Sequence, residues 1–102
     1  MHYNYVLLIL NRRISAEVIN TKGNIYVQLS DLIMSALQNS KFKFPKCTTS
    51  TEFLSAFNLN NFNVSIGLII DEFDNLMYHQ EFVSVLRYMK HNPHLYCIKV
   101  LN

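Results

Sequence analysis

Apolar residues fall along the chain in a few distinct runs. Val64 to Ile70, VSIGLII, is nearly continuous, the pattern of a strand buried on both faces of a parallel sheet, and Leu68, Ile69 and Ile70 should all be buried. It opens directly onto three carboxylates, Asp71, Glu72 and Asp74. Tyr3 to Leu10 is β-branched, aromatic and apolar and predicts a second strand, and Leu95 to Leu101 predicts a third. Val18, Ile19, Ile25, Tyr26 and Val27 flank the turn-forming Lys22-Gly23-Asn24, a pattern that suits a hairpin or one strand followed by a loop.

Helical spacing shows in three places. Leu32, Ile33, Ala36 and Leu37 recur at it, with Ser30 and Asp31 offering an N-cap. Thr49 stands three residues before Glu52, the spacing of a capping box, and Phe53, Leu54 and Phe57 form the stripe of a short helix closed by the polar NLNNFN. Phe82, Val83, Leu86 and Met89 predict a helix of about three turns that ends near Asn92-Pro93.

The back half therefore reads helix, strand, helix, strand. A strand joined to a strand through a helix is a βαβ unit, almost always right-handed and parallel. The expected class is α/β, a small parallel-containing sheet with flanking helices. Neither repeats nor a linker divide residues 1–102, which read as a single domain.

Composition changes this picture little. A chain of 102 residues suits one small core, and 50% hydrophobic against 16% charged is a globular composition, since a disordered chain would carry more charge and fewer aromatics. A net charge of +2 is too small to argue for nucleic acid or an acidic membrane. SKFKFPK alternates Lys and Phe, but so few lysines make no steering patch, so it reads as a solvated connector. Cys47 and Cys97 form neither a CxxC nor a Cys/His zinc spacing and read as reduced thiols of an intracellular protein. YVLLIL is too short to span a bilayer, and with Arg12 and Arg13 after it and no basic residue before it, it makes a poor signal peptide. The expected compartment is cytoplasmic or nuclear.

Candidate chemistry gathers at one point. In an open parallel sheet, ligands collect at the carboxyl ends of the strands, where Asp71 and Glu72 stand. A carboxylate held there suits Mg²⁺, a hard cation with oxygen ligands, and a second can position or deprotonate a water. Other groups offer less. His91 and His94 lie at i, i+3, but Pro93 between them argues for a loop; with His2 and His79 they read as surface or cap histidines. Ser65 and Ser84 lack an adjacent base and a G-x-S-x-G context, and Cys47 lacks a sequence partner that would mark a nucleophile.

GLIIDEFD, Gly67 to Asp74, resembles the Walker B segment of P-loop NTPases, four apolar residues followed by Asp-Glu. The flavour is that of archaeal-type and AAA-like ATPases, in which Asp-Glu-Phe-Asp-x-Leu is a common continuation. EFVSVLRYMKHNPHLYCIKVL is similar to their next helix and strand, and AEVINTKGNIYVQLSDLIMSALQ, loosely, to their second strand and its helix. Asp-Glu-x-Asp is also a helicase pattern, but SVL at Ser84 to Leu86 does not match the Ser-Ala-Thr element that normally follows. The resemblance implies Mg²⁺ and ATP as cofactors, with Asp71 contacting the metal through water and Glu72 orienting the hydrolytic water; it gives Asp74 no role.

One part of the pattern is missing. The phosphate cradle G-x-x-x-x-G-K-[ST] cannot be built, because the only glycines are Gly23 and Gly67. The chain also stops where family members continue. The expectation is a truncated ATPase-like domain that keeps the Walker B strand, with ATP binding and hydrolysis lost in isolation. The alternatives are an interaction or regulatory module that binds a protein partner or a full-length relative, part of a split ATPase, or a gene fragment.

Overall fold

The computed structural model describes residues 8–20, 22–40, 42–58 and 64–101. Strand β1 (Leu8–Ser15) leads through a 3₁₀ turn (Ala16–Val18) to helix α1 (Ile25–Ala36) and helix α2 (Ser50–Ala56). Strand β2 (Val64–Asp71) follows, then a second 3₁₀ turn (Phe73–Leu76), helix α3 (Gln80–His91) and strand β3 (Ile98–Leu101). The strands form one sheet in the order β1-β2-β3, parallel throughout. The domain is α/β, with β2 in the middle.

Both crossovers advance in the same direction across the sheet, so right-handed connections place the described helices on one face. Burial follows that geometry. Ile66, Leu68 and Ile70 are buried with Ile14, which pairs in register with Ile70, and all four join one core with the helices. Ile69 points the other way and is only half-buried, contrary to the expectation that it shares the burial of its neighbours. Gly67, also on that side, lies against Asn11; a Cβ at Gly67 would collide with the Asn11 side-chain oxygen.

The helices meet through aromatic rings. Tyr26 of α1, Phe53 of α2 and Phe82 of α3 form a triangle with centroid separations of 5.7, 5.8 and 6.0 Å. Phe44 and Phe57 extend it, with centroids 4.8 Å apart. The connector before Pro45 is thus more than a solvated loop: Lys43 and Lys46 are exposed, but Phe44 is buried in the core.

Other boundaries also differ from expectation. The hairpin around Lys22-Gly23-Asn24 does not form. Asn24 instead caps α1, its Oδ1 accepting from the Tyr26 and Val27 amides at 2.9 and 3.1 Å. Ser30 lies inside that helix, where its hydroxyl donates to the Tyr26 carbonyl and accepts from the Cys47 amide. Strand β1 extends to Ser15, beyond the expected Leu10, and β3 begins at Ile98. The expected strand residues 3–7, the polar segment 59–63, His2 and Asn102 lie outside the described residues.

Helices α2 and α3 form where their signals lie. Thr49 Oγ1 accepts from the Glu52 amide at 3.1 Å, and the Glu52 carboxylate accepts from the amide and hydroxyl of Thr48. The capping box therefore closes one residue earlier than its standard form. These hydrogen bonds hold the Glu52 carboxyl below its ordinary range.

Candidate functional site

Strand β2 delivers Asp71 to the carboxyl end of the sheet as its last residue. Ser15, the last residue of β1, is its register partner, and Arg13 lies two positions earlier on the same strand. Positions two apart on a strand face the same way, so Arg13 and Asp71 share the sheet face opposite the helices. There the Arg13 guanidinium donates to Asp71 Oδ1 at 2.7 Å, with both side chains substantially exposed.

Glu72 turns the chain out of the sheet. Its φ of 57° and ψ of 41° are left-handed, the one positive φ outside glycine among the described residues. A Cβ is disfavoured there by roughly 1–2 kcal/mol, yet no glycine stands at the position. The Glu72 side chain is exposed and makes no capping hydrogen bond to the 3₁₀ turn it introduces. Asp74 is exposed within that turn. The carboxylates are therefore placed by the end of β2 and the turn, rather than by helix capping.

Asn75 fixes the turn. Its side-chain amide donates to the carbonyls of Ala16, at 2.5 Å, and Ile19, at 3.2 Å. Leu76 follows, fully buried, and anchors the turn from below. The loops that leave β1 and β2 are thereby bound together at the carboxyl end of the sheet. Neither Arg13 nor Asn75 stands out in the sequence. Arg13 reads as a polar flank to an apolar run, and Asn75 as one of many asparagines; only the register of β1 on β2 brings out their roles.

The group as it stands does not fit a divalent cation. One oxygen of Asp71 carries the Arg13 guanidinium, which must move before a metal can take that oxygen. Among the described residues, no three His, Cys, Asp or Glu side chains come together as a metal-ligand group. The glycines do not build a phosphate cradle either: Gly67 is inside β2 against Asn11, and Gly23 sits under the Gln28 side chain. No chemical step through Mg²⁺ or ATP follows from this geometry.

Glu17 is exposed on the first 3₁₀ turn, and other titratable groups lie away from this end. The N-termini of α1, α2 and α3 border an open cavity of about 380 Å³ lined by Asn24, Tyr26, Thr49, Ser50 and Glu81, among others. The Tyr26 hydroxyl donates to Glu81 at 3.0 Å, and burial together with that carboxylate pushes the phenol up to about 12. Cys47 and Cys97 are buried free thiols; burial raises both, Cys97 to about 11. His79 is partly buried at the start of α3, with no side-chain capping bond, while His91 ends that helix and His94 is exposed beyond it.

No described helix is long and apolar enough to cross a membrane. Neither a family model, nor a curated protein, nor a solved structure matches the chain.

Proposed function

We propose that the chain is an ATPase-like α/β domain that keeps the carboxylate-tipped middle strand of a P-loop NTPase but holds no nucleotide site of its own. One observation supports this reading most: Asp71 and Glu72 leave the middle of the three described parallel strands at its carboxyl end, where such sheets carry their chemistry. Arg13 then balances the charge of Asp71, which the metal ion would balance in a complete enzyme. By this reading Asp71 and Glu72 are the inherited metal and water positions, without turnover in this chain.

Phosphate release from ATP in the presence of Mg²⁺ tests it. Wild type, Asp71→Asn and Glu72→Gln should all match the rate of buffer alone. Turnover by the wild type that Glu72→Gln abolishes would show a working site and defeat the proposal.

A second reading is an interaction or regulatory module on the same scaffold. It is favoured by the exposure of Val18, Met77 and Tyr78 beside the carboxylates, since apolar groups left in water on a small domain mark contact surfaces when they cluster.

A further inference from the structure

Two 3₁₀ turns close the carboxyl end of the sheet, and Asn75 binds them to each other. The first presents Val18, 66% exposed; just beyond the second come Met77 at 54% and Tyr78 at 82%. Isolated exposed apolar residues are ordinary. Here the two turns pack against one another while Ala16, Ile19 and Leu76, in or next to them, are buried, and Met77 borders a cavity with Gln80, Val83 and Arg87 of α3. The core thus ends at these turns, and Val18, Met77 and Tyr78 stand outside it by position. Tyr and Met are also side chains enriched at the centres of protein interfaces.

Charge says what fits. Glu17 and Asp74 are exposed within the same turns, Glu72 is exposed at the start of the second, and Asp71 precedes it as the last residue of β2. Four of the seven acidic residues of the chain therefore gather at this end, although its net charge is +2. Arg13 is committed to Asp71. Arg87 of α3 lines a cavity together with Met77, so the acidic side chains do not surround the apolar groups; those on the two turns repel phosphate backbones and anionic lipid headgroups and attract cationic side chains.

We infer that this end of the domain docks a basic amphipathic segment of a protein partner. Its apolar face covers Val18, Met77 and Tyr78, and its Lys or Arg side chains pair with Glu17, Glu72 and Asp74. Helices with such a face are a recurrent occupant of apolar surfaces. The inference rests on the second reading above. It stands apart from the first, because phosphate release reports on neither the apolar groups nor the acidic side chains of the turns.

The test uses the full chain, isotope-labelled, with a synthetic Lys/Leu amphipathic helix as the probe and a Glu/Leu helix of the same pattern as control. The Lys/Leu peptide should produce saturable amide shifts centred on Glu17, Val18 and residues 72–78, weakening as salt is raised. Val18→Ser with Tyr78→Ser should lower its affinity at least about tenfold. Glu17→Lys with Asp74→Lys, which leaves the apolar groups in place, should weaken it as well and improve the Glu/Leu peptide. Absence of saturable binding, shifts centred elsewhere, equal binding of the two peptides, or indifference to both pairs of substitutions in chains that keep the wild-type spectrum would overturn the inference.

Discussion

At the scale of single residues, Arg13 and Asp71 give the carboxyl end of the sheet its local charge balance. Their pair is solvent-exposed on both sides, so its contribution to stability is small, within about 1 kcal/mol. Arg13→Met and Asp71→Asn should each shift the urea midpoint only slightly, and the double variant should show little extra loss. Tyr26 behaves differently. Its phenol sits at about 12 in the folded protein, against an ordinary value near 10 in the unfolded chain. The unfolded chain therefore releases this proton first, and stability falls as pH rises from about 10 to about 12. Tyr26→Phe should flatten that part of an alkaline denaturation curve. Glu52 acts at the other limb: its carboxyl is held low by Thr48, so its contribution is present above the ordinary carboxylate range and is lost as pH falls through its folded value. Asp71 and Glu72 are legible from their place after an apolar run, whereas Arg13 is not. Its role depends on a strand more than fifty residues away in sequence, and no local pattern encodes that register.

At the scale of elements, the runs with a single clear period are readable. Strand β2, the capped α2 and the amphipathic α3 lie where their patterns place them. Two others depart from their local patterns for physical reasons. Asn11, Arg12 and Arg13 look like the end of a strand, yet tertiary contacts carry β1 through all three. Asn11 lies against Gly67, Arg12 donates to the Ala36 carbonyl at the end of α1 at 2.9 Å, and Arg13 pairs with Asp71. The guanidinium of Arg12 also faces the negative end of the α1 dipole, where a cation is favoured. The first turns of helix α1 carry no helical signal because Ile25, Tyr26 and Val27 favour strands locally, and burial of Ile25 and Tyr26 against the other helices overrides that preference. Ser30 has the chemistry of a cap and is instead a buried stitch to Cys47. Substitutions at the two candidate caps separate these readings. Asn24→Ala should cost about 1 kcal/mol through loss of the cap, more if the Thr48 contact is also felt. Asp31→Ala, exposed within the helix, should be close to neutral by the same denaturation measurement.

At the scale of the whole molecule, the described helices lie on one face of the three described parallel strands. The continuous apolar run of β2 gives no hint of this, because Ile69 is as hydrophobic as its neighbours and differs only in which layer it meets. The asymmetry has a direct consequence. Leu68→Asp buries a charge among the helices and should abolish folding, whereas Ile69→Asp should leave a folded, destabilised domain, as followed by circular dichroism and urea titration. Loss of folding in both would mean that a second layer covers the sheet. The central functional claim, that the carboxylate-tipped strand is kept while the nucleotide site is not, comes down to one measurement, calorimetric titration of the chain with Mg·ATP. Binding should be weaker than about millimolar, since carboxylates of this kind act on the metal of a nucleotide that other groups hold. Micromolar binding that Asp71→Ala abolishes would contradict it and make this chain a nucleotide-binding domain in its own right.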